Sequence, residues 1–288
     1  MQLRQSERKK AKIKLAIQGS AGSGKTYSSL LLAQGLTNKD LTKVAIVDTE
    51  NGSADLYAHL GNYNVLTLES PFTPEKYIKA IDICLRADMN VIILDSISHA
   101  WDYLIDYHSQ LSGNSFTNWS KVMPLHKSLM NKILQADAHV IVTMRTKQDY
   151  VLQQKDGKYV PEKVGLKAVQ KDGVDYEFTI VFEIDIKHFT LCSKDRTGLF
   201  MNKPEFIINT STGQKILEWC NSGTNLQEAR SKIKACMDLE LLKQLYVHYS
   251  NWKELLENDF RVQKDTIISN QFMLNQQNLH HGNTNHTA

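Results

Sequence analysis

An eight-residue, glycine-rich stretch near the start of the chain constrains its fold more than any other feature. Residues 19–26 read Gly-Ser-Ala-Gly-Ser-Gly-Lys-Thr and fill every position of the phosphate-binding loop pattern G-x-x-x-x-G-K-[ST]. A β-rich, alternating segment at 13–17 precedes the loop, and a helical pattern over 28–36 follows it. This strand–loop–helix context favours a phosphate site over a glycine-rich turn that happens to carry a lysine.

The residue types of the loop suit an anionic ligand. Glycines permit backbone conformations in which consecutive N–H groups point at one anion, and the helix N-terminus adds unpaired donors. We expect the loop to hold ATP, with Lys25 neutralising the β- and γ-phosphates and the Thr26 hydroxyl ligating Mg²⁺. The predicted nucleotide-binding residues are Gly19, Ser20, Ala21, Gly22, Ser23, Gly24, Lys25, Thr26 and Tyr27.

A second motif is the apolar run at 91–94 that ends in Asp95. It is typical of the Walker B strand, whose carboxylate holds Mg²⁺ directly or through water. Any buried strand can end on an aspartate, but this one follows a complete phosphate loop. The sequence therefore predicts Thr26 and Asp95 as the metal-binding residues.

The base that activates water has to come from elsewhere in the chain. Many nucleotide motors carry a glutamate directly after the Walker B aspartate, whereas this chain has Ser96 there. Another apolar run at 44–47 leads into Asp48, Thr49 and Glu50. The carboxyl ends of parallel strands share one edge of a sheet, so Glu50 is the best candidate to orient and deprotonate water. The alternative is a solvent-exposed loop acid.

Length and composition predict the domain organisation. The chain has 288 residues, and we expect an α/β core at 1–222, a helical region at 223–274 and a disordered tail at 275–288 that is rich in Asn, Gln and His. Within the core, two late strands at 178–184 and 188–192 should pair, and the apolar residues 206–208 should form a last strand.

Charge and cysteine content predict the compartment. A net charge of +3 is too small to indicate nucleic acid by itself. No apolar run has the length of a membrane span, so we expect no membrane contact and a cytoplasmic location. Buried free thiols in a reducing cytosol are expected for the four cysteines, which form no C-x-x-C pair: Cys84, Cys192, Cys220 and Cys236.

Residues 44–50, together with Ala54-Asp55-Leu56-Tyr57-Ala58, resemble the segment that carries the catalytic glutamate of RecA-type recombinases. The order of the motifs is also similar to that family. Within the clan, the chain is most similar to the AAA-family or RecA-like ATPases of bacteriophages that act in single-strand annealing. The similarity spans roughly residues 10–220. It implies a mainly parallel sheet with helices on both faces, antiparallel late strands, and Mg²⁺-dependent hydrolysis of ATP with Glu50 as the base.

The resemblance also implies two loops that bind single-stranded DNA, near 99–121 and 145–173. The first segment is rich in aromatic residues that could stack on bases, although aromatics at helical spacing usually belong to a core. They are Trp101, Tyr103, Tyr107 and Trp119. Within the second segment, residues 145–171 carry seven basic residues against three acids, around a hairpin pattern at 155–158. A soluble charged hairpin is the alternative there.

A further implication of the resemblance is assembly. In RecA filaments, two cations one residue apart reach the ATP of the adjacent subunit, and Lys194 and Arg196 match that spacing. They would complete a neighbour's site in a homo-oligomer with ATP at the subunit interfaces. The alternative is a basic turn after a strand.

In one position the chain departs from the family. RecA-type proteins have a glutamine that senses the γ-phosphate after the strand at 138–144, and this chain has Arg145 there, with Gln148 a little later. Either residue could replace that glutamine.

Together these features predict an ATPase that binds single-stranded DNA and acts in phage recombination or annealing, in the host cytoplasm and with other recombination proteins as further partners. Three alternatives stay open: a helicase-type or packaging-type motor on the same core, a nucleotide-switched interaction protein, and a small-molecule kinase.

The N-terminal residues 1–14 contain six basic residues and one acid. They fit either an arm that touches nucleic acid or another subunit, or a solvated segment that leads into the first strand.

Overall fold

The computed structural model of the protein describes residues 11–155, 158–222, 226–249 and 252–282. Most of the predicted N-terminal arm (residues 1–10), the centre of the predicted hairpin turn (156–157) and the end of the predicted tail (283–288) lie outside these ranges. The described chain divides into two compact units, residues 11–220 and the residues from 221 onward.

An eight-stranded, mainly parallel sheet forms the frame of the larger unit. Its order is β3-β2-β4-β5-β1-β7-β8, and β6 pairs with β5. Neighbours in this order are parallel except for the antiparallel pair β7–β8, and β5–β6 is also antiparallel. The strands are β1 Lys14–Gly19, β2 Val44–Asp48, β3 Asn64–Thr67, β4 Val91–Asp95, β5 His139–Lys155, β6 Lys158–Ala168, β7 Ile180–Ile184 and β8 Thr190–Asp195.

Helices cover both faces of this sheet. They are α1 Lys25–Leu36, α2 Pro74–Arg86, α3 Ser98–Gln110, α4 Ser115–Gln135 and α5 Thr210–Asn221. Because side chains alternate along a strand, Leu15 and Ile17 of β1 pack in the apolar cluster with α1 and α5, whereas Ala16 packs in the cluster with α2 and α4. The predicted α/β fold with helices on both faces and antiparallel late strands is confirmed.

The predicted last strand at 206–208 is wrong. Only Phe206 pairs, through an antiparallel bridge to Thr190. Its ring packs edge-on against Phe182, with centroids 5.6 Å apart, while Ile207 is 55% exposed. Helix α5 already begins at Thr210, so this apolar run serves as a packed loop that leads into the helix.

The smaller unit is helical and has its own core. It consists of α6 Leu226–Ala235, α7 Leu239–His248 and α8 Lys253–Gly282. Apolar residues such as Ile233, Leu242 and Leu256 pack together inside it. Helix α8 continues past residue 275, where we predicted the start of a tail, as far as residue 282. No helix in the described part of the chain has the length and apolar content that a membrane span requires. All four cysteines are buried free thiols, as predicted.

A buried histidine at the start of β5 makes stability depend on pH. His139 is 5% exposed, and its Nδ1 accepts a hydrogen bond from the Ile13 N–H at 3.1 Å. Burial, followed by the charges of Lys12 and Lys14, lowers the pKa of His139 to about 4. The ordinary pKa is near 6.5, so the unfolded chain takes up this proton first as the pH falls.

We therefore expect His139 to reduce the free energy of unfolding as the pH falls from about 6.5 to about 4, by about 3 kcal/mol in total. Urea unfolding of the wild type and of His139→Asn, whose amide oxygen can accept the same hydrogen bond, would measure this. As the pH falls, the free energy of unfolding should decrease more in the wild type than in the variant. If it decreased equally in both proteins, the lowered pKa of His139 would be contradicted.

Candidate active site

The phosphate-binding loop joins β1 to α1 and depends on its glycines. Gly24 precedes α1 with φ of 89°, in the left-handed region that other residues rarely adopt. Gly19 is needed for another reason, since a Cβ there would lie 2.4 Å from Ser23 Oγ and 2.7 Å from the Ile184 carbonyl oxygen. The loop is thus a tight turn that packs directly against β7.

Lys25 folds back over this loop. Its Nζ donates hydrogen bonds to the carbonyl oxygens of Gly19 at 3.0 Å and Ser20 at 2.9 Å. Burial lowers the pKa of Lys25, and the nearby carboxylates of Asp95 and Glu50 oppose that shift. The ammonium group therefore lies against the loop, close to Asp95 at the end of β4 and to Glu50 in the loop after β2.

Thr26 and Asp95 are in direct contact. Thr26 Oγ1 donates a hydrogen bond to Asp95 Oδ2 at 2.5 Å, and the hydroxyl of Thr143 donates to the other carboxylate oxygen. Asp95 is 2% exposed. Burial raises the pKa of its carboxyl group, and the hydrogen bonds from these two hydroxyl groups partly offset that rise. Thr143 belongs to β5, which lies between β1 and β4 in the sheet. Sequence reasoning missed it, because a threonine inside an apolar strand carries no distinctive signal.

The loop after β2 positions Glu50. The buried carboxylate of Asp48 accepts hydrogen bonds from the Glu50 N–H at 2.6 Å and the Ala54 N–H at 3.1 Å, which fixes the turn. The Glu50 side chain is 27% exposed and forms a bidentate ion pair with Arg145. The distances are 2.8 Å for Nη2–Oε2 and 3.0 Å for Nε–Oε1. Burial alone would raise the pKa of Glu50, but the hydrogen bond and charge of Arg145 outweigh it and lower the pKa.

Thr49 ties the Glu50 loop to the end of β4. Its Oγ1 accepts a hydrogen bond from the Ser96 N–H at 2.9 Å and donates to the Asp95 carbonyl oxygen at 3.0 Å. The same oxygen lies 2.7 Å from His99 Nδ1. The two acidic strand ends are therefore held in a fixed relation to each other.

A cavity of about 850 Å³ opens above the loop, and six of the nine predicted nucleotide-binding residues line it, whereas Gly19, Ser20 and Ser23 do not. Lys25, Thr26, Glu50 and Asp95 all line it, as does Tyr27, whose ring centroid is 5.7 Å from that of Tyr57. Sequence reasoning did not assign seven other lining residues to the nucleotide: Ser28, Ser53, Tyr57, Thr146, His188, Ile207 and Ile208.

His188 reaches the cavity from the turn between β7 and β8. Its Nδ1 lies 2.9 Å from the Ser23 carbonyl oxygen, so Nδ1 carries the hydrogen and donates. A histidine in a hairpin turn gives no signal in the sequence. Only the parallel pairing of β7 with β1 brings this turn to the loop.

Lys194 and Arg196 do not line this cavity. Strand β8 runs antiparallel to β7, with Thr190 opposite Ile184 and Asp195 opposite Ile180, so its end lies at the sheet edge away from the loop. Lys194 Nζ donates to the carbonyl oxygens of Asp175 and Tyr176, and Arg196 Nη2 donates to that of Tyr176 at 2.9 Å. A role of these cations on a neighbour's nucleotide stays a prediction.

The two predicted DNA segments form a helical pair and a hairpin. In the first, Trp119 stacks on Trp101 and on His108, with centroids 5.9 and 4.1 Å apart, and Tyr103 stacks on Tyr107. In the second, β5 and β6 pair from Thr146↔Ala168 to Lys155↔Lys158. The side chains of 148–166, including that of Gln148, are outside the described part of the structure.

Comparison with known proteins agrees with this geometry. A family model described as an AAA domain matches residues 11–217. A comparison with curated proteins finds no match. The matched range contains the whole sheet, the phosphate-binding loop and both acidic strand ends. The chain therefore belongs to the AAA domain family and is a nucleotide-binding protein of the P-loop ATPase type.

Proposed function

We propose that the protein hydrolyses ATP to ADP and phosphate in a Mg²⁺-dependent reaction. The observation that carries this proposal is the convergence of Lys25, the Thr26–Asp95 pair and Glu50 on one cavity. Its volume of about 850 Å³ is within the range of small-molecule sites.

The cavity offers separate surfaces for the phosphates and the base. The loop N–H groups, the start of α1 and the Lys25 ammonium group provide positive potential for the phosphates. The rings of Tyr27 and Tyr57 and the exposed side chain of Ile207 give apolar surface on which a purine could lie.

The Thr26 hydroxyl and the Asp95 carboxylate fit Mg²⁺. Both are hard oxygen donors, and they already touch at 2.5 Å. Among the described residues, no group of three or more His, Cys, Asp and Glu could hold a metal ion by itself, so phosphate oxygens and water would complete the shell. Bound there, the ion would neutralise charge on the phosphates.

Glu50 is the base in this proposal. It accepts a proton from a water molecule whose oxygen bonds to the γ-phosphorus, while the bond from that phosphorus to the β,γ-bridging oxygen breaks and ADP leaves. Lys25 stabilises the negative charge that develops on the phosphoryl oxygens. Asp95 is less suited to this role, because it is only 2% exposed and its carboxylate is the proposed metal ligand, whereas the Glu50 side chain is 27% exposed.

We further propose that the ATPase binds single-stranded DNA and acts in recombination or annealing, as the resemblance to phage RecA-like proteins implies. One structural feature supports a link between DNA and ATP. Arg145 and Thr146 line the cavity, and Thr146 is the first residue of β5 that pairs in the β5–β6 hairpin. A DNA strand bound at the Thr146–Ala168 end of the hairpin would therefore lie next to the nucleotide. Lys194 and Arg196 would reach the site of a neighbouring subunit.

The ATPase rate, measured against protein concentration with and without a single-stranded oligonucleotide, tests this function. We expect the rate per subunit to rise with concentration, because the neighbour completes the site, and to rise further with single-stranded DNA but not with a duplex of the same length. An ATPase rate that is the same with and without DNA would favour the alternative of a nucleotide-switched interaction protein. Strand displacement driven by ATP would favour a helicase-type motor.

A further inference from the structure

We infer that His188 positions the phosphate-binding loop for its ligand, through a hydrogen bond that fixes the peptide group between Ser23 and Gly24. His188 belongs to a distant segment, the turn at residues 185–189 between β7 and β8. Its role depends on the ATPase function proposed above, because it acts on the binding of the phosphates.

The hydrogen bond from His188 sets the direction of one N–H group of the loop. Nδ1 donates to the Ser23 carbonyl oxygen at 2.9 Å. The peptide bond from Ser23 to Gly24 is trans, and in a planar trans peptide the C=O and N–H groups point in opposite directions. The Gly24 N–H therefore points away from the histidine.

This N–H group is available to a phosphate oxygen. Among the residues that the structure describes, none accepts a hydrogen bond from the Gly24 N–H, and Gly24 itself lines the cavity. The N–H groups of such a loop bind phosphate by pointing together at one anion. A contact that keeps the Ser23–Gly24 peptide from rotating therefore keeps one of these donors directed at the ligand.

The β7–β8 turn touches the loop at two positions. A Cβ at Gly24 would lie 3.1 Å from His188 Nδ1, and a Cβ at Gly22 would lie 3.6 Å from Ile186 Cδ1. Strand β7 pairs in parallel with β1, with Ile184 opposite Gly19, so the turn after β7 follows the same sheet edge as the loop after β1. The loop thus packs against the turn as well as against the sheet.

Hydrogen bonds to Asp185 make the turn a rigid support. Its carboxylate accepts from the N–H groups of Lys187 at 2.9 Å and Phe189 at 2.8 Å, and its carbonyl oxygen accepts from the His188 N–H at 3.0 Å. His188 has φ of 70°, in the left-handed region. A residue other than glycine keeps this conformation only where its surroundings hold it, and such residues are concentrated at functional sites.

The test compares wild type, His188→Gly and His188→Asn in their affinity for Mg·ADP, a non-hydrolysable Mg·ATP analogue and inorganic triphosphate. Calorimetry measures the nucleotides, and competition with Mg·ADP measures the triphosphate. Glycine adopts the left-handed conformation without strain but has no donor, so we expect all three ligands to bind about tenfold more weakly. Asparagine tolerates the same conformation and its amide can donate to Ser23, so His188→Asn should keep most of the affinity.

The hydrolysis rate separates positioning of the phosphates from a general loss of structure. At saturating Mg·ATP, His188→Gly should hydrolyse ATP at close to the wild-type rate, because a contact that holds the phosphates equally throughout the reaction changes KM and not kcat. Thermal unfolding without nucleotide measures the stability of each variant. If glycine loosens the turn, His188→Ala, which also lacks a donor but keeps a Cβ, should show the same loss of affinity.

The matched control is Asn202→Gly. Asn202 is exposed, has φ of 59° and lies outside the residues that line the cavity. This change also places glycine at a left-handed position in a loop, and it should alter neither the three affinities nor the hydrolysis rate.

Three results would overturn the inference. Unchanged affinities in His188→Gly would show that the loop needs no contact with this turn. A loss confined to the two nucleotides, with normal binding of triphosphate, would make His188 a contact of the base or ribose. An equal loss in His188→Asn would show that the hydrogen bond to Ser23 is not the cause.

These results differ from a failure of the ATPase proposal. If the wild type binds none of the three ligands, the proposed function itself is wrong. If the wild type binds and hydrolyses ATP and the His188 variants bind all three ligands equally well, only the role of His188 is wrong.

Discussion

Lys25→Ala should weaken ATP binding by about 100-fold and abolish hydrolysis. The Nζ group lies over the loop, bound to the Gly19 and Ser20 carbonyl oxygens at 3.0 and 2.9 Å, and ATP phosphates would replace these acceptors. Two charge-assisted hydrogen bonds contribute about 3 kcal/mol together, which corresponds to about 100-fold in affinity. Calorimetry with Mg·ATP would measure the loss.

The matched control for this experiment is Lys79→Ala, which removes an exposed lysine from α2 and should bind ATP normally. Thermal unfolding of both variants without nucleotide separates loss of the ligand contact from loss of the loop's own hydrogen bonds. Retained ATP affinity in a folded Lys25→Ala protein would contradict the phosphate assignment.

Local sequence patterns were sufficient to predict the parts of the site that are contiguous in the chain. The loop, the apolar strands and the acids that follow them each occupy one short segment. Parallel strands end at a common edge, so the meeting of Glu50 and Asp95 at one cavity could also be predicted.

Contacts between distant segments could not be predicted in the same way. Arg145 is 95 residues from Glu50 in the chain, and the Thr143 hydroxyl meets Asp95 only because β5 inserts between β4 and β1. Neither contact has a signature in either segment alone. They depend on the order of strands in the sheet, which the pattern of apolar runs does not fix.

The position of Lys194 and Arg196 in the sheet could not be predicted from the sequence either, because it depends on the direction of β8. The one-residue spacing of Lys194 and Arg196 is visible in the sequence, but spacing does not say at which edge of the sheet a strand ends. The antiparallel pairing with β7 places both cations at the edge away from the phosphate-binding loop, where both donate to the Tyr176 carbonyl oxygen. To act on ATP, they would have to reach the nucleotide of another subunit.

Glu50→Gln should bind Mg·ATP at least as well as the wild type but hydrolyse it about 100- to 10,000-fold more slowly, the usual contribution of a general base. The amide keeps the size of the side chain but cannot take up the proton of the attacking water. Single-turnover hydrolysis, combined with the affinity measured by calorimetry, separates the chemical step from binding. Glu69→Gln, at an exposed residue beyond β3, is the matched control and should hydrolyse ATP at the wild-type rate.

The alternative base within the cavity is Asp95, and the structure argues against it. Asp95 is 2% exposed and presents no free face to the cavity beyond its contacts with the hydroxyls of Thr26 and Thr143, whereas the Glu50 side chain is 27% exposed. Hydrolysis that survives intact in Glu50→Gln would contradict this choice. Slow hydrolysis with strong ATP binding would instead establish Glu50 as the group that activates water, because a residue needed only for the fold or for the phosphates would lose binding as well.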